Sequence, residues 1–202
     1  PNLATPRVRR VGFATPAAIA APTNTGAGAY AAILRYYRVR WLQLTGTTTW
    51  RRSEPGTSVG FTPSGTGTGV IVAQPAVPSE QETHWEIEVS LDNSTFYRLS
   101  QTVIATTTYT DSAVTTTYST NTLSAITGAY TKWTSVKYLL TDGNRLLGAG
   151  AHEAGGKNSR VWFTPVLGAT DQGDDERVPN TTEQQNWVDL NENDGGAITG
   201  MG

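Results

Sequence analysis

Residues 72–111 constrain the fold of this chain more than any other stretch. Two alternating runs, His84 to Val89 (HWEIEV) and Ser94 to Leu99 (STFYRL), flank the turn signal Leu91, Asp92, Asn93. β-formers on both sides of such a turn predict a hairpin. By period two, Trp85, Ile87 and Val89 share one face and Glu86 and Glu88 the other. The tryptophan face is expected to be core and the glutamate face to be solvated. A third run, GVIVAQ at 69–74, precedes the hairpin and leads to Pro75 and Pro78; a fourth, TTTYTD at 106–111, follows it. Four such runs in succession predict an all-β chain whose centre is a β-sandwich.

Composition agrees and removes several function classes. With 202 residues the chain is long enough to bury a core in one large or two small domains, and two are expected. Twenty-one Gly, 10 Pro, abundant Thr and only 16% charged residues suit a turn-rich β protein of the kind common in extracellular and virion structures. Fifteen Lys and Arg against 17 Asp and Glu leave a net charge of -2, which gives no electrostatic reason to expect nucleic acid or an anionic membrane as partner. The absence of cysteine excludes disulfides, thiolate metal sites and a cysteine nucleophile. No apolar run approaches the roughly 20 residues that cross a bilayer, and no signal peptide is evident. The start at Pro1 and the stop after AITGMG read as cuts in a longer protein.

The order of apolar strand, proline-rich loop, Trp-bearing strand, Asp-Asn turn, FYRL and TTTYTD resembles a fibronectin type III or related immunoglobulin-like module of bacterial and phage surface proteins. The resemblance covers roughly residues 57–113, with Tyr109 and Asp111 in the place of that family's Y-x-D. Upstream, Tyr37, Val39 and Trp41 alternate with Arg38 and Arg40 in a further strand. YYRVRW resembles a late edge strand of the family, and RRSEPGTSVGFTP its turn and closing strand. Residues 30–63 therefore either end a preceding sandwich or supply strands to the same one. The expected organisation is an extended arm or linker at 1–29, an immunoglobulin/fibronectin III-like β-sandwich at 30–113, a Thr- and Ser-rich linker at 114–131, and a partial β domain at 132–202. Within that C-terminal segment a pair of β-runs flanks Asp142, Gly143 and Asn144 as a hairpin. RVWF at 160–163 and NWVDL at 186–190 add two strands, and the set resembles a blade of a β-propeller in phage tail and virion proteins. One blade cannot bury both faces, which predicts assembly.

Candidate chemistry is sparse. Histidine occurs at His84 and His152 only; His84 is expected on a strand rim, and His152 beside Glu153 lacks a second triad member or a nucleophile elbow. No catalytic residue and no cofactor is expected, and the chain reads as a non-enzyme. Asp171, Asp174, Asp175 and Glu176 form one acidic cluster. Asp189, Asn191, Asn193 and Asp194 form another, in which Asp189, Asn191 and Asn193 are a weak Ca²⁺ candidate; Asp194 and Gly200 depart from an EF-hand at its glycine and bidentate glutamate positions. SGTGTG at 64–69 lacks the Lys-Ser/Thr ending of a phosphate loop and reads as a connector. The sequons at Asn93 and Asn180 read as accidents of Thr and Ser abundance. Among six tryptophans, Trp41, Trp85 and Trp162 alternate with polar residues as core side chains do, whereas Trp50, beside Arg51 and Arg52 near a turn, is the best candidate for a contact surface. Arg7, Arg9 and Arg10 are arm contacts toward an acidic neighbour.

The expected function is that of a structural virion component of a bacteriophage, from the tail or head-to-tail region, located in the extracellular particle and acting by protein–protein assembly. Its partners would be other virion proteins and copies of itself, with neither membrane nor nucleic acid favoured. The alternative is a glycan-binding surface module attached to a carbohydrate-active or host-recognition protein.

Overall fold

The computed structural model describes residues 12–26, 28–125, 127–128, 130, 136–142, 145–151, 158–164, 187–190, 197–198 and 200–201. The chain is all-β, with three antiparallel sheets, none of which closes on itself, and a single 3-10 turn at Thr115–Thr120 among the described residues.

The largest sheet forms around β2 (Arg35–Thr45) and β6 (His84–Ser90), which pair from Tyr36 opposite Ser90 to Leu42 opposite His84. Along one side of β2 run first β3 (Thr48–Arg52), then β4 (Val59–Phe61). Between them Ser53 N and Gly56 N donate to Trp41 O and Val39 O, so the chain keeps to the edge of β2 throughout. Gly56 is required there, because a Cβ would stand 2.9 Å from the Pro16 carbonyl oxygen of the crossing segment. Residues 30–63 thus supply strands to the same sheet as the hairpin rather than ending another unit. β6 and β7 (Tyr97–Val103) form the expected hairpin, with β7 beginning at Tyr97. Its turn is set by Asp92, whose Oδ1 accepts from Ser94 N and Thr95 N, and by Asn93 at φ 57°. Asparagine tolerates that left-handed conformation better than most side chains.

The second sheet has the order β1 (Thr23–Thr25), β5 (Gly69–Ala73), β8 (Thr108–Asp111). Gly69 allows β5 and β8 to close up, since a Cβ there would lie 2.5 Å from Asp111 O. Side chains of both sheets enter one buried cluster: Tyr37, Val39 and Trp41 from β2, Trp85, Ile87 and Val89 from β6, Val70 and Val72 from β5. Phe13, Ile19, Tyr30 and Tyr118 complete it.

Of these, Phe13, Ile19 and Tyr118 lie outside the expected sandwich, whereas Tyr30 is its first residue. Residues 12–26, read from sequence as arm, bury Phe13 and Ile19 and contribute β1. Residues 114–131, read as linker, bury Tyr118 and Tyr130. An extended segment needs no periodicity to pack; a few isolated apolar anchors and backbone pairing suffice, and neither leaves a periodic pattern. Arg7, Arg9 and Arg10 lie outside the described residues.

The third sheet is a meander of β9 (Val136–Asp142), β10 (Arg145–Ala151), β11 (Arg160–Phe163) and β12 (Trp187–Asp189). Asp142 opposite Arg145 sets the expected hairpin register, while Gly143 and Asn144 themselves fall outside the described residues. Ala149 is fully buried and Trp162 is 9% exposed.

Candidate contact surfaces and the buried polar networks

Period two puts Arg38, Arg40, Glu86 and Glu88 on the face of the large sheet opposite its apolar cluster, where the sequence predicts solvent. Instead Arg40, Glu86 and Glu88 are fully buried. The register sets Arg38 opposite Glu88 and Arg40 opposite Glu86, so cation meets anion along the central strand pair. Glu88 receives Arg38 Nε on one oxygen and Arg40 Nε at 2.7 Å on the other. Glu86 receives Arg52 Nη1 at 2.6 Å and Gln101 Nε2 at 2.9 Å, with Arg98 Nη1 3.8 Å away. Arg38 also stacks on the Phe96 ring, 3.7 Å from its centroid. Burial pushes the Glu86 carboxyl above the usual glutamate range despite the opposing pull of Arg52, and burial likewise lowers Arg38 in spite of Glu88.

The cover over this face is the stretch beginning at Asn121. Leu123 bridges Tyr97 at the edge of β7, flanked by Arg98 N donating to Thr122 O and Ser124 N donating to Phe96 O, both at 2.9 Å. Arg40 Nη2 donates to Ala125 O at 2.7 Å. Glu54 accepts Gly128 N on one carboxylate oxygen and Tyr130 N on the other, and the Tyr130 ring lies within 5.8 Å of the Arg40 and Arg52 guanidinium carbons.

A second network ties the two sheets of the apolar cluster together. Asp111 Oδ2, at the end of β8, accepts from Tyr37 OH at 2.8 Å and from Tyr118 OH, and its Oδ1 accepts from Ala113 N. Arg35 Nε donates to Tyr118 OH at 2.9 Å, and Tyr30 OH donates to Ala113 O. Burial, reinforced by the Asp111 charge, holds the Tyr37 and Tyr118 phenols far above their usual range, so they stay protonated donors.

The expected contact triad at the edge divides. Trp50 is 46% exposed on β3, at the register shift opposite Gln43 and Leu44. Arg51, expected beside it on the surface, is 1% exposed: its guanidinium donates to Gly12 O at 2.7 Å and Glu80 O at 2.9 Å and lies 3.8 Å from the Phe13 centroid. Arg51 fastens the N-terminal segment to the sheet, and Arg52 belongs to the ion network. Alternation separates Arg51, opposite Gln43, from Arg52, opposite Leu42, and the register shift leaves Trp50 unpaired between Thr49 and Arg51.

Other candidates separate similarly. His84 is half-buried, with its ring nitrogen 2.9 Å from Thr83 Oγ1 and its pKa lowered by burial. The connector at 64–69 docks by backbone bonds onto residues 25–30. Trp41 and Trp85 are core side chains, as alternation predicts, and Trp162 is buried in the third sheet. His152, Asn191, Asn193, Asp194 and the 171–176 acids lie outside the described residues, as does the side chain of Asp189. Among the described residues no group of three or more metal-ligating side chains occurs, and no helix is long and apolar enough to cross a membrane. Sequence reasoning missed Glu54, Asp111 and Tyr118 as network centres; the alternating Arg and Glu of β2 and β6, taken together, were the available signal for the ion ladder. No protein-family model, curated protein or solved structure matches this chain.

Proposed function

We propose that the chain is a structural component of a bacteriophage particle, from the tail or head-to-tail region, working by assembly with other virion proteins and with copies of itself. The observation that carries this reading is the third sheet. Leu139 on β9 and Val188 on β12, its two edge strands, are 61% and 48% exposed, and Leu190 just beyond is 52% exposed. Apolar side chains at both edges suit a sheet completed by further protein. A four-stranded meander is also the form of a propeller blade, and two sheets sharing a core are the form of an immunoglobulin-like sandwich, in keeping with the family resemblance. In this role the chain works as a scaffold rather than as an enzyme.

The test is mass spectrometry of purified particles together with the intact mass of the natural protein. Peptides of this chain in stoichiometric amount in particles are expected; a monomeric protein absent from every particle fraction would reject the reading.

Exposed Trp50 favours the alternative of a glycan-binding module, because a flat indole on a sheet edge can stack a sugar ring. Polysaccharide binding by the purified chain, abolished by Trp50→Ala, would select that alternative; no binding to any polysaccharide tested would remove it.

A further inference from the structure

We infer that residues 13–22 are a polyproline II ligand seated in a groove along the large sheet, and that the same groove takes residues 13–22 of a second copy of this chain. Exchange of this segment gives the self-association of the proposed role a physical form and rests on that reading for its setting. It is tested on the purified chain, apart from any particle, so each can fail without the other.

Set among alanines, Phe13, Pro16, Ile19 and Pro22 offer no hydropathy contrast, but burial picks them out: all four are buried, and the residues between them are exposed apart from half-buried Ala14. Contact at every third residue is the mark of a polyproline II helix, which has three residues per turn and no internal hydrogen bonds. Accordingly no helix or strand forms between Phe13 and Pro22. Among the described residues, the one hydrogen bond on their main chain is Ala14 N donating to Glu80 Oε2 at 2.8 Å. Pro16 and Pro22 fix φ at about -65° and hold Thr15 and Ala21, which precede them, in the extended region.

The groove reads both side chain and main chain, as sites for extended proline-containing segments do. Buried Arg51 lays its guanidinium 3.8 Å from the Phe13 centroid and donates to Gly12 O, while Glu80 accepts from Ala14 N. The carbonyl and the amide on either side of Phe13 are thus both matched, which fixes the direction of the chain. Glu80 is held in place for this: its own carbonyl accepts Arg51 Nη1, and Glu82 accepts the Ser79 and Glu80 amides around left-handed Ser79 and Gln81, at φ 61° and 71°. Further along, Gly56 lets Pro16 and Ala17 lie against the main chain, and Ile19 enters the buried apolar cluster. Arg51, Gly56 and Glu80 all follow β1 in the chain, so their contacts are the same whichever copy supplies the ligand. The segment is tethered through β1, which pairs with β5 from Thr23 to Thr25, so residues 13–22 can leave without breaking a sheet. In cis the tether holds them at an effective concentration on the order of millimolar, and an isolated chain keeps its own segment. Copies packed side by side present a neighbour's segment at a similar concentration, and exchange then loses no contact.

Two full-length variants test the exchange. Gly56→Val fills the groove, because its Cβ would stand 2.9 Å from Pro16 O, and leaves an intact segment undocked. Phe13→Ser combined with Ile19→Ser spoils the segment and leaves an intact groove open. Sedimentation velocity is expected to show a one-to-one complex in the mixture that neither variant forms alone. A mixture that sediments as the sum of its two components would overturn the exchange. Should either variant not fold, the milder Phe13→Leu chain is titrated with a fluorescein-labelled peptide of residues 12–23 and with a rearranged peptide in which phenylalanine and isoleucine leave the period of three. Binding at least about tenfold tighter for the native order is expected, and equal binding, or none, rejects the groove.

Discussion

The two faces of the large sheet are built from the same two strands and both are buried, yet their chemistry is opposite. On one, Tyr37, Val39, Trp41, Trp85, Ile87 and Val89 pack against the second sheet; on the other, Arg38, Arg40, Arg52, Glu86 and Glu88 pair with one another, with the Ala125 carbonyl and the Tyr130 ring against their guanidinium groups. The apolar face stabilises by area removed from water and tolerates no loss of volume. The ionic face contributes little net stability, because attraction between the charges is offset by their dehydration, but it penalises any single deletion. Burial alone therefore does not say what a residue contributes.

The largest effects separate the faces most sharply. Trp85→Ala, on the apolar side, is expected to destabilise by about 3–5 kcal/mol in chemical denaturation. Glu88→Ala should cost a similar amount, about 3–5 kcal/mol, by leaving Arg38 and Arg40 buried without their shared anion. The distinction appears in the combined replacement Arg38→Met, Arg40→Met, Glu88→Leu, which is expected between neutral and about 4 kcal/mol more stable. A triple variant as damaged as Glu88→Ala would break the comparison. Asp111→Asn, which alters the acceptor of the Tyr37 and Tyr118 hydroxyls, should cost about 1–3 kcal/mol.

A pH series sharpens the same contrast. Glu86 faces Arg40 on β2, Arg52 on β3, Glu88 on its own strand, and Arg98 with Gln101 on β7. Its pKa is raised in the folded chain, so its contribution is fully present below the ordinary glutamate value and is lost as pH rises through the folded value. Glu86→Gln should therefore flatten the decline of Tm with pH across that window. Asp92 has the opposite sign: hydrogen bonds from Ser90 Oγ and from the Thr95 and Ser94 amides hold it down to about 2. Its contribution is present above the ordinary aspartate value and is lost as pH falls through about 2, and Asp92→Asn should remove that acid-limb slope. The smallest effect belongs to the exposed edge, where Trp50→Ala should change stability by no more than about 0.5 kcal/mol.

The hairpin, the alternation of β2 and the core tryptophans were legible in sequence because a β-strand writes its two faces into every second residue. The candidate surface was legible only to a limited degree. Trp50, Arg51 and Arg52 stand side by side in sequence, but Arg52 pairs opposite Leu42 and Arg51 opposite Gln43, on opposite faces with Arg51 under Phe13, while Trp50 falls at the register shift. Phe13, Ile19 and Tyr118 sit in stretches whose Ala, Thr and Pro content carries no period, and what buries them lies far away along the chain.

By itself, then, the amino-acid sequence determined the all-β class, the presence of the hairpin and the alternation of its first strand, since these follow from local turn chemistry and period two; its register, Val89 opposite Tyr97 with a shift between Ile87 and Glu88, came from the fold. Only the tertiary structure decided what each face meets. Glu86 and Glu88 occupy positions that a lone sheet would give to water; instead Glu88 meets Arg38 and Arg40 of β2, 50 and 48 residues earlier, and Glu86 meets Arg52 of β3, 34 residues earlier. Polarity specifies that a side chain needs a polar partner, and in a folded chain that partner can be another side chain as well as water.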